Sequence, residues 1–328
     1  AEKKSKRVNA TEFDVIEKFD KINLIKNSAG KISSFLTIQE GCDKFCKFCV
    51  VPYTRGPEFS RSISEILLEA KQLADSGTRE IILLGQNVNA YNFKNQKLSH
   101  LLIKLNDIKK IERIRYTTSH PKDLTDDLIE AHSKCEKLMP LLHLPVQSGS
   151  TKILKNMNRD HTIDEYLKKI KKLKEKKPLI KFSSDFIIAY PGESKEDFEK
   201  TVSLMKKVEF INSYSFIYSP RPGTPAANVK EIDTKTAKER LSIFQNTADE
   251  IKKKYRNKLI NTNVKVLFEN KTKNQMEYFG RDEYFNSVIV TSNENLIGKI
   301  KKVKISQCNQ NTLFGEIIAD VSQKEFAA

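Results

Sequence analysis

The sequence predicts an α/β protein in which a partial barrel of six βα units is followed by a small antiparallel β-barrel. Three observations lead to this class. Up to about residue 256, short runs rich in β-branched and aromatic residues alternate with amphipathic helical patterns. After that point the runs become short and closely spaced, and 328 residues suffice for one large domain and one small one. Six units are too few for a closed eight-fold barrel, so we expect an open one.

The strands and helices of the larger domain are predicted from β-branched and aromatic runs on the one hand and amphipathic helical patterns on the other. The predicted strands are residues 34–39, 80–84, 113–118, 141–145, 181–189 and 213–218. The predicted helices are residues 64–76, 98–108, 125–133, 162–176 and 194–208, followed by a long charged helix at 234–256. Ser64 is read as the cap that opens the first helix, and Ser194 with Asp197 resembles a capping box. In such arrays the active site lies at the carboxyl ends of the strands.

The last part of the chain is predicted to form the small antiparallel barrel. Its strands are residues 264–269, 277–280, 286–291, 299–306 and 314–319, separated by turn signals. Small basic barrels often bind nucleic acid through aromatic and cationic side chains on one face. The candidates for that face, some of which we expect to fill the core instead, are Tyr278, Phe279, Arg281, Tyr284 and Phe285.

These patterns divide the chain into a linker at 1–30, a core domain at 31–256, a terminal barrel at 257–320 and a tail at 321–328. The first residues are charged, with no apolar block behind them, so they do not resemble a secretory signal. No apolar run approaches the roughly 20 residues of a membrane span. We therefore expect a cytoplasmic protein with no membrane partner.

The charge balance is strongly basic. Lys and Arg number 58 and Asp and Glu 42, which gives a formal net charge of +16. Such an excess favours a polyanionic partner, most often nucleic acid. Lysines on solvated faces of an ordinary protein explain it equally well, so the charge needs support from a site.

Three of the five cysteines, Cys42, Cys46 and Cys49, form a C-x3-C-x2-C motif directly after the first predicted strand. A structural zinc site normally has four ligands, and so does an ordinary electron-transfer [4Fe–4S] cluster. Three ligands leave one iron open, and an open metal position is typical of catalysis. Cys135 and Cys308 are isolated and are read as buried or incidental thiols. The alternative from another class is a non-catalytic, zinc-stabilised RNA-binding protein.

The motif and its surroundings resemble the radical S-adenosylmethionine (SAM) superfamily, and within it the MiaB-type tRNA methylthiotransferases. The resemblance runs from about residue 15 to 320. The segments that carry it are Glu-Gly-Cys at 40–42, Val-Val-Pro-Tyr-Thr-Arg-Gly at 50–56, Gly-Gln-Asn-Val-Asn-Ala-Tyr at 85–91, Thr-Thr-Ser-His-Pro at 117–121, His-Leu-Pro-Val-Gln-Ser-Gly-Ser at 143–150, Ser-Ser-Asp-Phe-Ile at 183–187 and Tyr-Ser-Pro-Arg-Pro-Gly-Thr at 218–224. The segment at 258–320 resembles a TRAM domain, an RNA-binding module.

The resemblance implies the chemistry. Cys42, Cys46 and Cys49 would bind a [4Fe–4S] cluster with an open iron, SAM would bind there, and a cellular one-electron reductant would supply electrons. The product would be the 2-methylthio derivative of N6-isopentenyladenosine, next to the anticodon in the anticodon arm of tRNA. The sulfur would come from a second, auxiliary [4Fe–4S] cluster in an amino-terminal domain. Residues 1–30 match only the exit linker of that domain, so we expect this chain to carry SAM cleavage and tRNA binding without completing methylthiolation.

Further site residues are expected from their places in the barrel. Gly85, Gln86 and Asn87 follow the second strand, where the resemblance implies binding of the SAM amino group. Phe48 would pack near the adenine, and Ser184 and Asp185 would meet the ribose hydroxyls. The sibling alternatives are enzymes directed at threonylcarbamoyladenosine or at a ribosomal protein, against which the segments at 50–56 and 85–91 argue.

Overall fold

The computed structural model describes residues 30–318, so the predicted tail and all but the last residue of the predicted linker lie outside the described residues. The strands are β1 (Ser33–Thr37), β2 (Gln39–Glu40), β3 (Phe59–Ser60), β4 (Glu80–Leu84), β5 (Asn92–Phe93), β6 (Gln96–Lys97), β7 (Arg113–Tyr116), β8 (Leu141–His143), β9 (Lys181–Ile188), β10 (Asn212–Ile217), β11 (Asn263–Lys271), β12 (Glu277–Arg281), β13 (Ser287–Thr291), β14 (Ile300–Cys308) and β15 (Thr312–Ile317). The helices are α1 (Val51–Arg55), α2 (Ile63–Asp75), α3 (Leu98–Asn106), α4 (Asp126–Lys134), α5 (Thr151–Asn156), α6 (Ile163–Lys176), α7 (Lys195–Val208) and α8 (Thr234–Asn257). No helix within 30–318 is long and apolar enough to cross a bilayer.

The six predicted strands of the core domain form one parallel arc. β1, β4 and β7 pair in that order, and so do β8, β9 and β10. The two halves join where the Ile114 amide donates to Lys137 O (2.7 Å) and the Met139 amide donates to Ile114 O (3.0 Å). The described strands therefore stand in chain order with β1 and β10 at the two ends of the arc, which confirms the open barrel of six βα units.

The helices cover the outside of the arc, and their caps follow the sequence closely. Ser194 caps α7 in a capping box with Asp197, as predicted. The cap of α2 lies two residues earlier than predicted and the helix begins one residue earlier, because Ser62 and not Ser64 accepts the amide of Glu65 and forms a capping box with it. The helices α1 and α5 were not predicted, since five and six residues are too few to show a helical period.

Strand residues alternate between the helix layer and the lumen of the barrel. Leu36, Ile81 and Ile114 point outward into the main hydrophobic core. The residues next to them along each strand point into the lumen. On the two edge strands, β1 and β10, the lumen-facing positions include large aromatic rings that remain exposed. Phe35 on β1 is 65% exposed, and Tyr214 and Phe216 on β10 are 57% and 61% exposed.

The terminal domain is a closed five-stranded barrel in the order β11-β12-β13-β15-β14. Its core contains Val266, Phe268, Val288, Val303 and Ile305. The expectation of an antiparallel barrel is correct for four pairs but wrong for one, since β13 and β15 are parallel. β15 leaves β14 by a tight hairpin and therefore runs in the same direction as β13, which it meets to close the barrel.

Two arginines of β7 fasten the terminal barrel to the amino ends of the core strands. Arg113 donates to Arg281 O (2.8 Å) and Lys265 O (2.9 Å). Arg115 donates to Asp282 O (2.9 Å) and Glu283 O (3.0 Å) and pairs with Glu80 at 2.9 Å. The terminal barrel is therefore the floor of the core barrel, and the opposite mouth is left open.

This docking corrects the predicted aromatic RNA face. Tyr278 is buried in the core of the terminal barrel. Phe285 lies under Arg115, with the guanidinium carbon 4.9 Å from the ring centroid, and Tyr284 donates to Leu179 O at 2.9 Å. Arg281 stacks on Phe285 at 4.1 Å. Two of the five candidates, Tyr284 and Phe285, therefore contact the core domain, and a third, Tyr278, fills the core of the terminal barrel.

We expect Arg115→Ala to lower the free energy of unfolding by about 3–5 kcal/mol, because it leaves the buried Glu80 carboxylate without its ion-pair partner and removes the Arg115 donors from two carbonyls. The matched control is Arg79→Ala, which breaks the exposed pair with Glu112 and should cost about 0–1 kcal/mol. Urea unfolding followed by circular dichroism measures both. Equal losses in the two variants would show that the floor contact is not a stabilising one.

Candidate active site

The cysteine loop lies at the open mouth of the barrel, directly after β1 and β2, where the sequence placed it. Cys46 is buried, and Cys42 and Cys49 are half-buried. Three other parts of the chain hold the loop: the Cys42 amide donates to Gly56 O (3.2 Å), the Lys47 amide to Met157 O (3.0 Å), and the Ala226 amide to Lys47 O (3.0 Å). The loop is thus preformed by contacts that lie far apart in the sequence.

Gly41 and Gly85 make the loop possible. Gly41 has φ +77°, and a Cβ there would lie 1.8 Å from Pro57 O. A Cβ on Gly85 would lie 2.5 Å from Oε1 of Gln39. The side chain of Gln39 fills that space and donates from Nε2 to Gly41 O (2.7 Å) and Glu40 O (3.0 Å). Sequence reasoning missed Gln39, because a glutamine at the end of a strand has no pattern of its own.

The predicted residues Gly85, Gln86 and Asn87 reach the cysteine loop. Gln86 Oε1 accepts the Gly41 amide at 2.7 Å, and the Asn87 amide donates to Gln39 Oε1 at 3.0 Å. These two contacts support the loop, a role that the sequence did not suggest. The Asn87 side chain is buried and its Oδ1 has no partner among the described residues, so it keeps a free acceptor beside the loop.

Asn87 also joins a charged network under the loop. Its Nδ2 donates to Glu58 (3.1 Å) and Asp123 (2.8 Å), and Lys44 pairs with Asp123 at 2.8 Å. Burial raises the pKa of Glu58 above its ordinary value, although the Asn87 and Lys44 contacts oppose the shift. The network fixes the Lys44 end of the cysteine loop to the loop after β7.

Phe48 and the loop rest on a small apolar cluster. The half-buried Phe48 ring packs against a cluster made of Ile153, Met157, Tyr190, Tyr218 and Ala226. This cluster joins α5 to the loops that follow β9 and β10. The position agrees with an aromatic wall beside the cysteines, and the role of Phe48 toward adenine stays a prediction.

The neighbours Ser184 and Asp185 point to opposite sides of β9. The Ser184 hydroxyl is fully buried, accepts the Val146 amide (3.0 Å) and donates to Leu144 O (3.1 Å) on the helix side of the sheet. The expectation that Ser184 meets a ribose in the lumen is therefore wrong. Asp185 faces the lumen, with Oδ1 3.5 Å from Nε2 of His143.

His143 completes a polar patch on the lumen wall. Its Nδ1 lies 3.0 Å from the Ser183 hydroxyl, and its ring meets the Tyr214 ring edge-on at 6.2 Å between centroids. The patch is the polar part of a wall that is otherwise apolar, with Ile82 and Phe35 lower in the lumen.

Non-glycine residues with left-handed backbone cluster at this mouth. Thr118 (φ 57°), Gln147 (φ 75°) and Ala189 (φ 57°) each follow a core strand, and Phe45 (φ 46°) lies inside the cysteine loop. This conformation is unfavourable for residues with a Cβ, most of all for β-branched threonine. Such strain concentrates at functional sites, and here it marks the carboxyl ends of β7, β8 and β9.

The thiols themselves need a compensating charge. Burial raises the pKa of Cys42 to about 11, and it raises the pKa of Cys49 as well, against the opposing effects of the Val51 amide and Arg159. At neutral pH the free thiols of Cys42 and Cys49 are therefore protonated, and a bound metal centre would displace their protons. Within residues 30–318, no three His, Cys, Asp or Glu side chains converge on the spacing of a single metal ion, these thiols included.

Iron–sulfur clusters and zinc ions arrange cysteine thiolates differently. Zinc draws its thiolates to about 2.3 Å from one ion, whereas a cluster places each thiolate on its own iron. Beside the thiols lies the buried side chain of Arg159, with Nη1 3.8 Å from Cys46 Sγ and Nε without a partner. Arg159 escaped sequence reasoning, because it stands more than one hundred residues from Cys46 and belongs to no cysteine motif.

Comparison with known families agrees with this geometry. Residues 36–205 match the radical SAM superfamily, and residues 258–318 match the TRAM domain. The chain is 56% identical over 326 residues to the tRNA-2-methylthio-N(6)-dimethylallyladenosine synthase of Pelagibacter ubique, covering 98% of this chain and 73% of that protein. It is 44% identical to the protein of the same name from Ruegeria sp., covering 95% and 72%. These names do not support the ribosomal-protein, threonylcarbamoyladenosine or zinc alternatives.

Solved structures agree on the fold. A radical S-adenosylmethionine methyltransferase, TsrM, from Kitasatospora setae, with tryptophan substrate and a SAM analogue bound, superposes with a TM-score of 0.51 at 14% identity. The superposition covers 61% of this chain and 38% of that one. At this identity the likeness supports the barrel architecture alone.

We expect Gly41→Ala to abolish the uptake of iron during anaerobic reconstitution, since its Cβ would overlap Pro57 O and displace the loop. The control is Gly77→Ala, which has an equally left-handed backbone (φ +103°) but open space around it. That variant should bind the same iron as the native chain, about four per chain. Full iron content in Gly41→Ala would contradict the preformed loop.

Proposed function

This chain belongs to the radical SAM superfamily and, within it, to the family of the tRNA-2-methylthio-N(6)-dimethylallyladenosine synthases, and we propose that it acts in the 2-methylthiolation of N6-dimethylallyladenosine in tRNA. The observation that carries the proposal is the preformed loop of three cysteines at the open mouth of a six-stranded barrel. The chain spans about three quarters of the length of these relatives, 73% and 72%.

Cys42, Cys46 and Cys49 would hold the [4Fe–4S] cluster. When bound, a cluster with one open iron supplies the electron for the reductive cleavage of SAM, which yields the radical that removes hydrogen from the adenine. The chain's own residues position the partners. Gln39 and Gln86 fix the loop backbone. In this proposal the free Oδ1 of Asn87 would accept a hydrogen bond from the ammonium of SAM, and Asp185 would accept one from a ribose hydroxyl.

The lumen suits an adenine that carries an apolar substituent. The exposed rings of Phe35, Tyr214 and Phe216 flank the open side between β1 and β10 and point inward. A dimethylallyl group is apolar, and covering it with these rings removes apolar surface from water. The polar patch of His143 and Asp185 lies beside them and offers hydrogen bonds to the nucleoside.

RNA binding is supported by a cationic stripe on the terminal barrel. Lys265 and Lys302 stand directly opposite each other on β11 and β14, where like charges repel. The stripe continues to the exposed Lys304, and none of these three lysines has an ion pair within residues 30–318. By contrast, lysines of α6 such as Lys172 and Lys176 pair with Asp126 and Glu130. The phosphates of RNA would neutralise the stripe.

The two binding regions lie at opposite ends of the core barrel. β9 has eight residues, so the ends are separated by roughly 25 Å at about 3.3 Å per residue. An anticodon arm is long enough to reach both. We propose tRNA as the partner on these grounds, and with it a cytoplasmic location.

The remaining partners follow from the family alone. A cellular one-electron reductant would feed the first cluster, and a second [4Fe–4S] cluster would supply the sulfur. Cys135 is buried in the main core and Cys308 contacts Asn257, so the described part of the chain offers no ligand set for that second cluster.

The test measures 5′-deoxyadenosine formed by the reconstituted chain with SAM and dithionite, in the presence of anticodon arms with or without the N6-dimethylallyl group. We expect the modified arm to stimulate the reaction more than the unmodified one. Phe216→Ala should reduce that preference about tenfold, the size expected when a few methylene contacts are lost.

Leu68→Ala is the matched control, since Leu68 is an equally exposed apolar residue on the outer helix α2. It should leave the preference unchanged. No 5′-deoxyadenosine from an iron-loaded chain would contradict the proposed function. An unchanged preference in Phe216→Ala would contradict only the assignment of the lumen rings.

A further inference from the structure

Arg159 carries a buried charge that the protein does not balance. Arg159 is 6% exposed, and no acidic side chain within residues 30–318 lies at ion-pair distance from its guanidinium. Arg61 pairs with Glu69 at 2.7 Å and Arg115 with Glu80 at 2.9 Å, whereas the buried Arg113 and Arg256 each donate to two backbone carbonyls. Arg159 has neither an acidic partner nor a second carbonyl among the described residues, and a buried charge with so few partners is unfavourable.

The groups around the Arg159 guanidinium limit which partner could balance its charge. Nη2 donates to Pro145 O, Nη1 points to Cys46 Sγ at 3.8 Å, and Nε has no partner. The rings of His120 and His161, 5.7 Å apart, lie close by. Burial lowers the pKa of both, that of His161 to about 4, so neither ring is charged at neutral pH. Among the described residues, the guanidinium contacts Cys46 Sγ, which would carry negative charge as the thiolate ligand of a bound metal centre.

The backbone holds Arg159 firmly in this place. Its amide donates to Leu154 O at 2.9 Å, and its carbonyl lies 2.7 Å from Nδ1 of His161. The next residues along the chain lead into α6, and Asn158 donates to Phe45 O (3.0 Å) inside the cysteine loop. The guanidinium is therefore positioned by the fold and not by a mobile surface loop.

We propose that Arg159 is the counter-charge of the iron–sulfur cluster, a positioning residue that donates an N–H to the sulfur of Cys46 and favours the reduced state. The inference rests on the proposed cluster site at Cys42, Cys46 and Cys49. Hydrogen bonds to ligand sulfurs and nearby positive charge both raise the reduction potential of such clusters, because the reduced form is the more negative one. Arg159, more than one hundred positions from Cys46 in the sequence, would thereby determine how readily the cluster accepts an electron.

The test is a redox titration of the reconstituted chain without SAM, followed by electron paramagnetic resonance. We expect Arg159→Gln to lower the reduced fraction at a fixed poise about tenfold, which is about 59 mV for a one-electron couple. Arg159→Lys keeps the charge and should recover most of the difference. Iron content and SAM affinity are measured on the same samples.

The matched control is Arg256→Gln. Arg256 is also 6% exposed and also donates to carbonyls, those of Asn309 and Asn311, but it lies at the carboxyl end of α8, against the terminal barrel. Its loss should leave the potential unchanged.

The results for the two Arg159 variants either support or overturn the proposed role of Arg159. Iron uptake by Arg159→Lys but not by Arg159→Gln would support the proposal, since the charge would then be needed to hold the cluster. An unchanged potential, equal impairment of the two Arg159 variants, or weaker SAM binding at an unchanged potential would overturn it. A native chain that takes up no iron would instead contradict the proposed function.

Discussion

The arrangement of the molecule depends on two buried arginines of β7. An open barrel has two mouths, and Arg113 and Arg115 close one of them by donating to four carbonyls of the terminal barrel. Backbone carbonyls are fixed acceptors, so the contact sets the orientation of the terminal barrel as well as its attachment. The cysteine loop is left at the open mouth and the cationic stripe at the far end, which makes the barrel the spacer between chemistry and RNA binding.

At the open mouth, two glycines and two side-chain amides fix the position of the cysteine loop, as the arginines fix that of the terminal barrel. Gly41 and Gly85 leave room for Gln39, and the Gln39 and Gln86 amides hold the loop from beneath. The thiols are thus positioned before any metal binds, at the cost of a backbone that is strained at Phe45 and at the strand ends. Asn87 Oδ1 and Arg159 Nε are among the buried polar atoms without a partner in the described structure, and ligands bound at the loop would satisfy them.

Much of this was predictable from the sequence. All six core strands lie within a few residues of their predicted bounds, because β-branched runs between capped helices leave few alternatives. The side of a strand that faces the lumen was not predictable: Ser184 and Asp185 are neighbours, and only the register of β9 separates them. Contacts between distant segments were equally out of reach, which is why Arg159 was missed and why Tyr284 and Phe285 were assigned to RNA when they bind the core domain.

The central claim is that three cysteines hold a cluster whose fourth iron is open to SAM. Electron–nuclear double resonance on the reduced, reconstituted chain tests it most directly, with SAM that carries a nitrogen label on its amino group. We expect a hyperfine coupling from the label that appears on addition of SAM and is lost with the cluster. A spectrum that SAM does not change, or a chain that binds zinc and no iron, would contradict it.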